Sequence, residues 1–305
     1  MSPVASNRAS ADGLIVTADD FGAALAVNEA VEAAHRTGIL TAASLMVGGE
    51  AAEDAIERAR RLPSLKVGLH LVLVEGRPVL PASAVPDLVD ATGHFRTNMA
   101  LAGVNFFFRP KVRRQLAAEI AAQFALFARS GLKLDHVNAH KHFHLHPTIA
   151  RMIIAIGRDY GVTAARVPSE PAAVLRQIEP GSRAAPPLLA PWLALMRGNF
   201  RRAGFLTPTH VFGLAWSGAM TAPRLAGLLD HMPAGLSEIY LHPATANSFT
   251  GSAPGYRYTD ELAALTAPEV LAAAERRRLR RGGFADFAPA QAAIGRTAAF
   301  DGAQP

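Results

Sequence analysis

Leu14-Ile15-Val16-Thr17-Ala18-Asp19-Asp20-Phe21-Gly22 is an apolar run that ends on paired carboxylates and turns at a glycine. A strand apolar on both faces belongs in a parallel sheet covered by helices. Strand-like runs recur at 39–47, 66–73, 134–140, 164–168, 209–214 and 236–242. Between them, 24–36, 51–61, 112–130, 147–160 and 221–231 have helical composition and spacing. This alternation predicts an α/β fold. Six or seven such units predict a distorted or incomplete (β/α) barrel, TIM-like, with its active site at the carboxyl ends of the strands.

The residues suited to chemistry gather at those ends. Residues 136 to 146 read His-Val-Asn-Ala-His-Lys-His-Phe-His-Leu-His, five of the chain's eleven histidines in one segment. Imidazole is the commonest transition-metal ligand, so the cluster predicts a metal-dependent hydrolase. If 134–140 is a strand, His136, Asn138 and His140 share its inner face, while His142 and His144 line the cleft from the following loop. His136, Asn138, His142 and His144 are therefore candidate substrate contacts. His146 precedes Pro147 and reads as a helix start. His35, His94, His210 and His231 stand alone and read as structural or surface residues. Asp19 and Asp20 are neighbours, so regular strand geometry would point them to opposite faces; both can reach one pocket only where the backbone bends. Taken alone, an Asp-Asp pair is more often a helix N-cap, and a lone His70 a hydrogen-bonded core histidine.

Their company changes that reading. Thr17-Ala18-Asp19-Asp20-Phe21-Gly22, Gly68-Leu69-His70-Leu71, the run from His136 to His146, and Tyr240-Leu241-His242-Pro243 resemble, in this order, the motifs of the YdjC-type carbohydrate deacetylases. The resemblance extends from about residue 13 to about 285. Leu40-Thr41-Ala42-Ala43-Ser44-Leu45-Met46-Val47 and the stretch Leu134–His146 further resemble the hopanoid-biosynthesis-associated branch, called HpnK. Asn138 is a departure, since many relatives carry Asp there, and the change removes a carboxylate beside the site.

The resemblance implies that Asp20, His70 and His140 bind one divalent metal ion. One carboxylate and two imidazoles leave an open coordination position, as in catalytic zinc sites. This ligand set favours zinc; magnesium, which the resemblance also admits, prefers oxygen-rich octahedral sites, and manganese or nickel are further options. Asp19 is then the candidate general base, with a pKa expected to stay close enough to neutral for the task. Arg166, in Ala165-Arg166-Val167-Pro168, is the candidate that holds it. His242, at the end of Glu238-Ile239-Tyr240-Leu241, is the candidate acid for the departing amine. The implied reaction is removal of an acetyl group from an N-acetylated amino sugar, by resemblance an N-acetylglucosaminyl hopanoid (bacteriohopanepolyol). The alternatives are deacetylation of soluble chito-oligosaccharides and a non-catalytic sugar- or lipid-binding protein.

Composition fits this reading. The chain has 305 residues, half of them apolar, and no cysteine, which excludes disulfides and thiolate metal sites. No apolar run reaches the ~18–20 residues of a membrane span, and no secretory signal is visible, so a cytoplasmic protein is expected. A net charge of +6 without a nucleic-acid motif reads as attraction to anionic lipid or as plain solubility, not as nucleic-acid binding. Two segments set apolar residues beside cations: Asn105-Phe106-Phe107-Phe108-Arg109-Pro110-Lys111-Val112-Arg113-Arg114, and 184–196 followed by Arg197, Arg201 and Arg202. They suggest peripheral contact with an anionic membrane at its inner face. Phe106, Phe107, Phe108, Trp192 and Leu193 would supply the apolar insertion. The expected organisation is one domain at 13–287, with insertions near 76–114 and 172–206, and loose tails at 1–12 and 288–305. Oligomeric state is left open.

Overall fold

The computed structural model describes residues 12–288 apart from residue 185. The expected tails therefore lie almost wholly outside the described residues. In chain order the elements are β1 (Gly13–Phe21), α1 (Leu25–Thr37), β2 (Ala42–Leu45), α2 (Ala52–Arg61), β3 (Lys66–Leu71), α3 (Met99–Phe108), α4 (Pro110–Arg129) and β4 (Leu134–Ala139). They continue with α5 (Pro147–Asp159), α6 (Ala172–Ile178), α7 (Ala190–Arg202), β5 (His210–Phe212), α8 (Ala222–Asp230) and β6 (Leu236–Leu241). Last come α9 (Tyr258–Thr266), α10 (Pro268–Arg277), β7 (Arg280–Arg281) and α11 (Phe284–Phe287).

The sheet runs β4-β3-β2-β1-β6-β5, and β7 pairs with the start of β1. Every ladder is parallel. The run expected as a strand at 164–168 forms only isolated bridges: Val137 with Ala165, Ala164 with Leu206, and Ser169 with Val211. Pro168 has no N–H to give a ladder, so this side stays irregular. These bridges link β4 round to β5 and close a distorted (β/α) barrel. Composition at 99–108, 172–178, 190–202 and 258–277 had not marked the helices found there, nor the two-residue β7.

The barrel interior changes character along its axis. Ile15, Ala42, Ala164, Leu236 and Phe284 form a small apolar plug at the amino ends of the strands. Above it the inward positions turn polar: Thr17, Ser44, His136, Arg166 and Glu238 are all fully buried. Gly68 makes room for one of them, because a Cβ there would meet the His136 ring at 2.4 Å. At the carboxyl ends the interior opens into a cleft.

Candidate active site

A bend in β1 brings two neighbouring carboxylates to one side. The β1–β2 register shifts between Ala18 and Phe21, and Asp20 sits in the left-handed region at φ 61°. Gly22 follows at φ 94°, its N–H bound by the buried Asn28 side chain at 2.8 Å. Asp19 and Asp20 consequently line the same cleft of about 500 Å³. Of the five non-glycine residues with positive φ among the described residues, Asp20, Glu75, Lys141 and His142 all line it. Such backbone strain collects where surrounding structure enforces a functional geometry.

Asp20, His70 and His140 converge as the resemblance implied, each offering one donor atom within 4.8 Å of the others. Asp20 Oδ1 is 3.3 Å from His70 Nε2 and 3.2 Å from His140 Nδ1. His70 Nε2 is buried and has no hydrogen-bond partner. Its other nitrogen, Nδ1, donates to Asn138 Oδ1 at 2.7 Å, which leaves Nε2 as the nitrogen turned toward Asp20 and available to a metal. A ligating histidine is ordinarily held this way by an outer acceptor. His140 Nε2 lies 3.8 Å from Glu75 in a looser version of the same arrangement. Burial would raise the Asp20 carboxyl, but His140 and His70 outweigh it and hold it well below the ordinary range. Burial would lower His140, and Asp20 more than compensates, so its pKa is raised. The donor set thus fits a divalent ion, which would replace that proton.

Arg166 is fully buried, and its guanidinium bridges two carboxylates. Its Nη1 and Nη2 donate to the two oxygens of Asp19, the latter at 3.0 Å. Its Nε and Nη2 donate to Glu238 at 2.9 and 2.7 Å. The guanidinium also lies 4.3 Å over the Tyr240 ring. Burial pushes Asp19 up, yet Arg166 and then His70 prevail and keep it well below the usual carboxylate range. This corrects the expectation of a near-neutral base: the residue that positions Asp19 also makes it acidic. The buried Asp19 and Glu238 and the partly exposed Asp20 set three carboxylates against one guanidinium, a surplus that suits a dication.

His242 lines the same cleft. Glu261 accepts from its backbone N–H. Its ring meets Tyr240 and Tyr256 edge-on at 5.9 and 5.4 Å, and Nδ1 has no partner. His142 also faces the cleft, with Nε2 3.0 Å from the Tyr240 hydroxyl. Burial, then His144 and Arg166, holds His142 well below its ordinary pKa, so it is neutral.

Three candidate substrate contacts are placed elsewhere. His136 is sealed beneath the site, bound to Ser44 and Asp135 at 3.0 Å each and stacked on Phe284 at 4.2 Å. Asn138 is buried, and Nδ2 donates to Asp19 at 3.2 Å and Ser44 at 2.9 Å. It orients side chains that face the cleft without facing it. His144 is 1 % exposed, with Nε2 2.8 Å from the Arg166 carbonyl; burial and Arg166 push it down to about 3. Strand parity puts His136 and Asn138 on one inward face, but both lie below the cleft; β4 ends at Ala139, so His140 and His144 belong to the turn that follows. His146 caps α5, accepting from Thr148 N–H.

Sequence reasoning missed Glu75, Glu238, Tyr240, Tyr256 and Tyr258. Glu238 carried a readable signal, a carboxylate inside an apolar strand sharing parity with Tyr240 and His242. His94, read as ordinary, lines a second lobe of about 400 Å³. Asp20, Glu75, His140 and Tyr258 line both lobes, so the Asp20–His140 side of the triad sits at the waist of a longer cleft.

A barrel with this constellation at its carboxyl pole is the architecture of a hydrolase, and its relatives place it more narrowly. Residues 13–276 match the model of the YdjC-like protein family, and the chain belongs to that family. It is 32 % identical over 260 residues to a carbohydrate deacetylase of Brevibacillus brevis, covering 84 % of this chain and 92 % of that one. A carbohydrate deacetylase of Geobacillus stearothermophilus is 31 % identical over 262 residues, covering 85 % and 91 %. Among solved structures, an Enterococcus faecalis protein provisionally described as a cellobiose-phosphate cleavage protein superposes with a TM-score of 0.72. It is 26 % identical, and the match covers 92 % of this chain and all of that one.

Proposed function

We infer that the protein is a metal-dependent carbohydrate N-deacetylase that hydrolyses the acetamide of an N-acetylated amino sugar. The observation that carries this is the open-sided triad of Asp20, His70 and His140 in one cleft with Asp19 and His242, in a chain related to carbohydrate deacetylases. A divalent ion held there would polarise the acetyl carbonyl and acidify the attacking water. Two imidazoles and one carboxylate favour zinc for that role.

The chain's own residues supply the rest. Arg166 and Asn138 fix both oxygens of Asp19, so its carboxylate is aimed before substrate arrives. It accepts the proton of the attacking water as the C–O bond forms. His242 delivers a proton to the nitrogen as the C–N bond breaks, releasing amine and acetate. Tyr240 and Tyr256, flanking that ring, limit its motion.

The finer substrate proposal is an N-acetylglucosaminyl hopanoid, supported by the motif resemblance to the hopanoid-associated branch. A chito-oligosaccharide substrate is the second reading, favoured by the lobe beyond the triad, which offers room for a further sugar ring. Mass spectrometry of zinc-loaded enzyme with both substrate classes separates them. Loss of one acetyl group from the glycolipid alone is the expected result. Loss from chito-oligosaccharides alone selects the second reading, and loss from neither leaves a binding protein.

A further inference from the structure

Ten large apolar side chains are exposed among the described residues, and nine lie in two segments: five on α3, and four around the start of α7, Leu188 and Leu189 just before it and Trp192 and Leu195 within it. Such concentration marks a contact surface. Both segments sit at the carboxyl pole. Met99, the first residue of α3, lines the catalytic cleft. The α7 segment walls a separate cavity of about 380 Å³ with Ser169 and Glu170, which follow the strand-like 164–168 run.

That cavity has an apolar side made by Pro186, Pro187, Ala190 and Leu193, and a cationic side made by Arg197 and Arg201. The cations are not equivalent. Arg201 is tied to Thr207 through Nε at 2.8 Å, and Arg202 to Asn199 at 2.6 Å. Arg197 has a buried Nε with no partner among the described residues. Burial and then Arg201 lower its pKa, as expected of a guanidinium that lacks an anion. Glu170, the acidic residue in the wall, is occupied by the amides of Gly213, Leu214 and Ala215.

We propose that this cavity binds the anionic headgroup of a bilayer lipid, with Arg197 as its principal contact and Leu188, Leu189, Trp192 and Leu195 entering the apolar layer. The cavity is large enough for a glycerophosphate group. An unpaired guanidinium on an apolar rim complements a phosphodiester above acyl chains. Phe106 takes no part, since it is buried against Phe143, and Leu193 packs partly into the core. The proposal goes beyond the deacetylase reading and does not depend on it.

The test is co-sedimentation with phosphatidylcholine vesicles with and without phosphatidylglycerol, at low salt. Wild-type protein should bind only the anionic vesicles. R197S should weaken that binding by about tenfold or more, as for loss of hydrogen bonds to a charged group. R202S, removing a cation held outside the cavity, should weaken it by less than about fivefold. The L188S/W192S double variant should abolish it. Each variant should keep its melting temperature and its turnover of water-soluble substrate. Equal losses for R197S and R202S would mean diffuse surface charge and overturn the site. Displacement from vesicles by millimolar glycerophosphate would identify a free anion as ligand and overturn the lipid. So would a wild-type protein that ignores every vesicle, or a W192S change that merely dissociates a dimer.

Discussion

At the floor of the barrel His136 has both ring nitrogens engaged, by Asp135 and Ser44. Farther along the same interior His70, His142 and His242 line the cleft, each with one ring nitrogen lacking a partner. All are inward residues at or near barrel strands, and all are buried or nearly so. Burial therefore does not separate the structural histidine from the chemical ones; His136 differs from these three in having both ring nitrogens engaged within the protein. A buried polar atom without a partner costs stability, and it persists where something else is meant to fill it. His144 Nδ1 also lacks a partner without facing the cleft, and nothing in the structure explains it.

The largest expected effect breaks the comparison at its centre. His70→Ala and His140→Ala should lose bound metal and all measurable turnover, since each removes one of three ligands. His136→Ala should lower the melting temperature yet keep full metal occupancy in folded protein. Elemental analysis after zinc loading checks both. Full occupancy in the first two variants would place the metal elsewhere.

His242 sharpens the chemical half of the comparison. Its replacement by Ala should reduce amide hydrolysis by ~10² to 10⁴, the usual contribution of general acid–base assistance. An aryl acetate should lose far less, because its leaving group departs without being protonated. Equal losses on the two substrates would make His242 a positioning or oxyanion-stabilising residue.

Much of the cleft side was legible because its chemistry is written in residue type. Asp19, Asp20, His70, His140 and Arg166 are polar residues at the ends of apolar runs, and they do meet. The floor was not legible. His136 and Asn138 share parity in β4, and only the third dimension shows that other segments seal His136 away from the cleft. The partners of His136 come from Ser44, Asp135 and Phe284, far apart in the chain. The left-handed turn at Asp20 has no glycine to announce it. Nor does any local pattern foretell that the Arg166 ion pair, chosen to hold Asp19, also lowers its basicity.

Phe284 tests the structural half. It is fully buried in the apolar plug, and Phe284→Ala should cost about 3–5 kcal/mol of stability through the cavity left behind. Metal affinity should be unchanged, read by titration at a temperature where the variant is folded. A parallel loss of affinity would mean that the floor and the cleft are mechanically coupled.

The subtlest effect falls on Ser44, where the two regions touch. Asp135 is held below its ordinary pKa, with burial outweighed by His136 and by the α11 amides, so it can only accept. His136 therefore carries its proton on Nδ1 and accepts from the Ser44 hydroxyl through Nε2. Ser44 in turn accepts from Asn138 Nδ2 at 2.9 Å, which directs Asn138 Oδ1 toward His70 Nδ1 at 2.7 Å. The polarity of this chain places a proton on His70 Nδ1 and leaves Nε2 as the nitrogen turned toward Asp20 and available to a metal. Ser44→Ala removes the middle link and leaves the Asn138 amide held on that side by Asp19 alone. It should cost about 1–3 kcal/mol of stability for the unmet buried groups. Asn138→Ala should weaken metal binding by about 10- to 100-fold, the usual toll for losing the outer partner of a ligand. Ser44→Ala should weaken it less, because Asn138 still has Asp19 to orient it. If Ser44→Ala were the more damaging of the two, the relay would be carrying the His70 tautomer from the floor upward rather than merely bracing it.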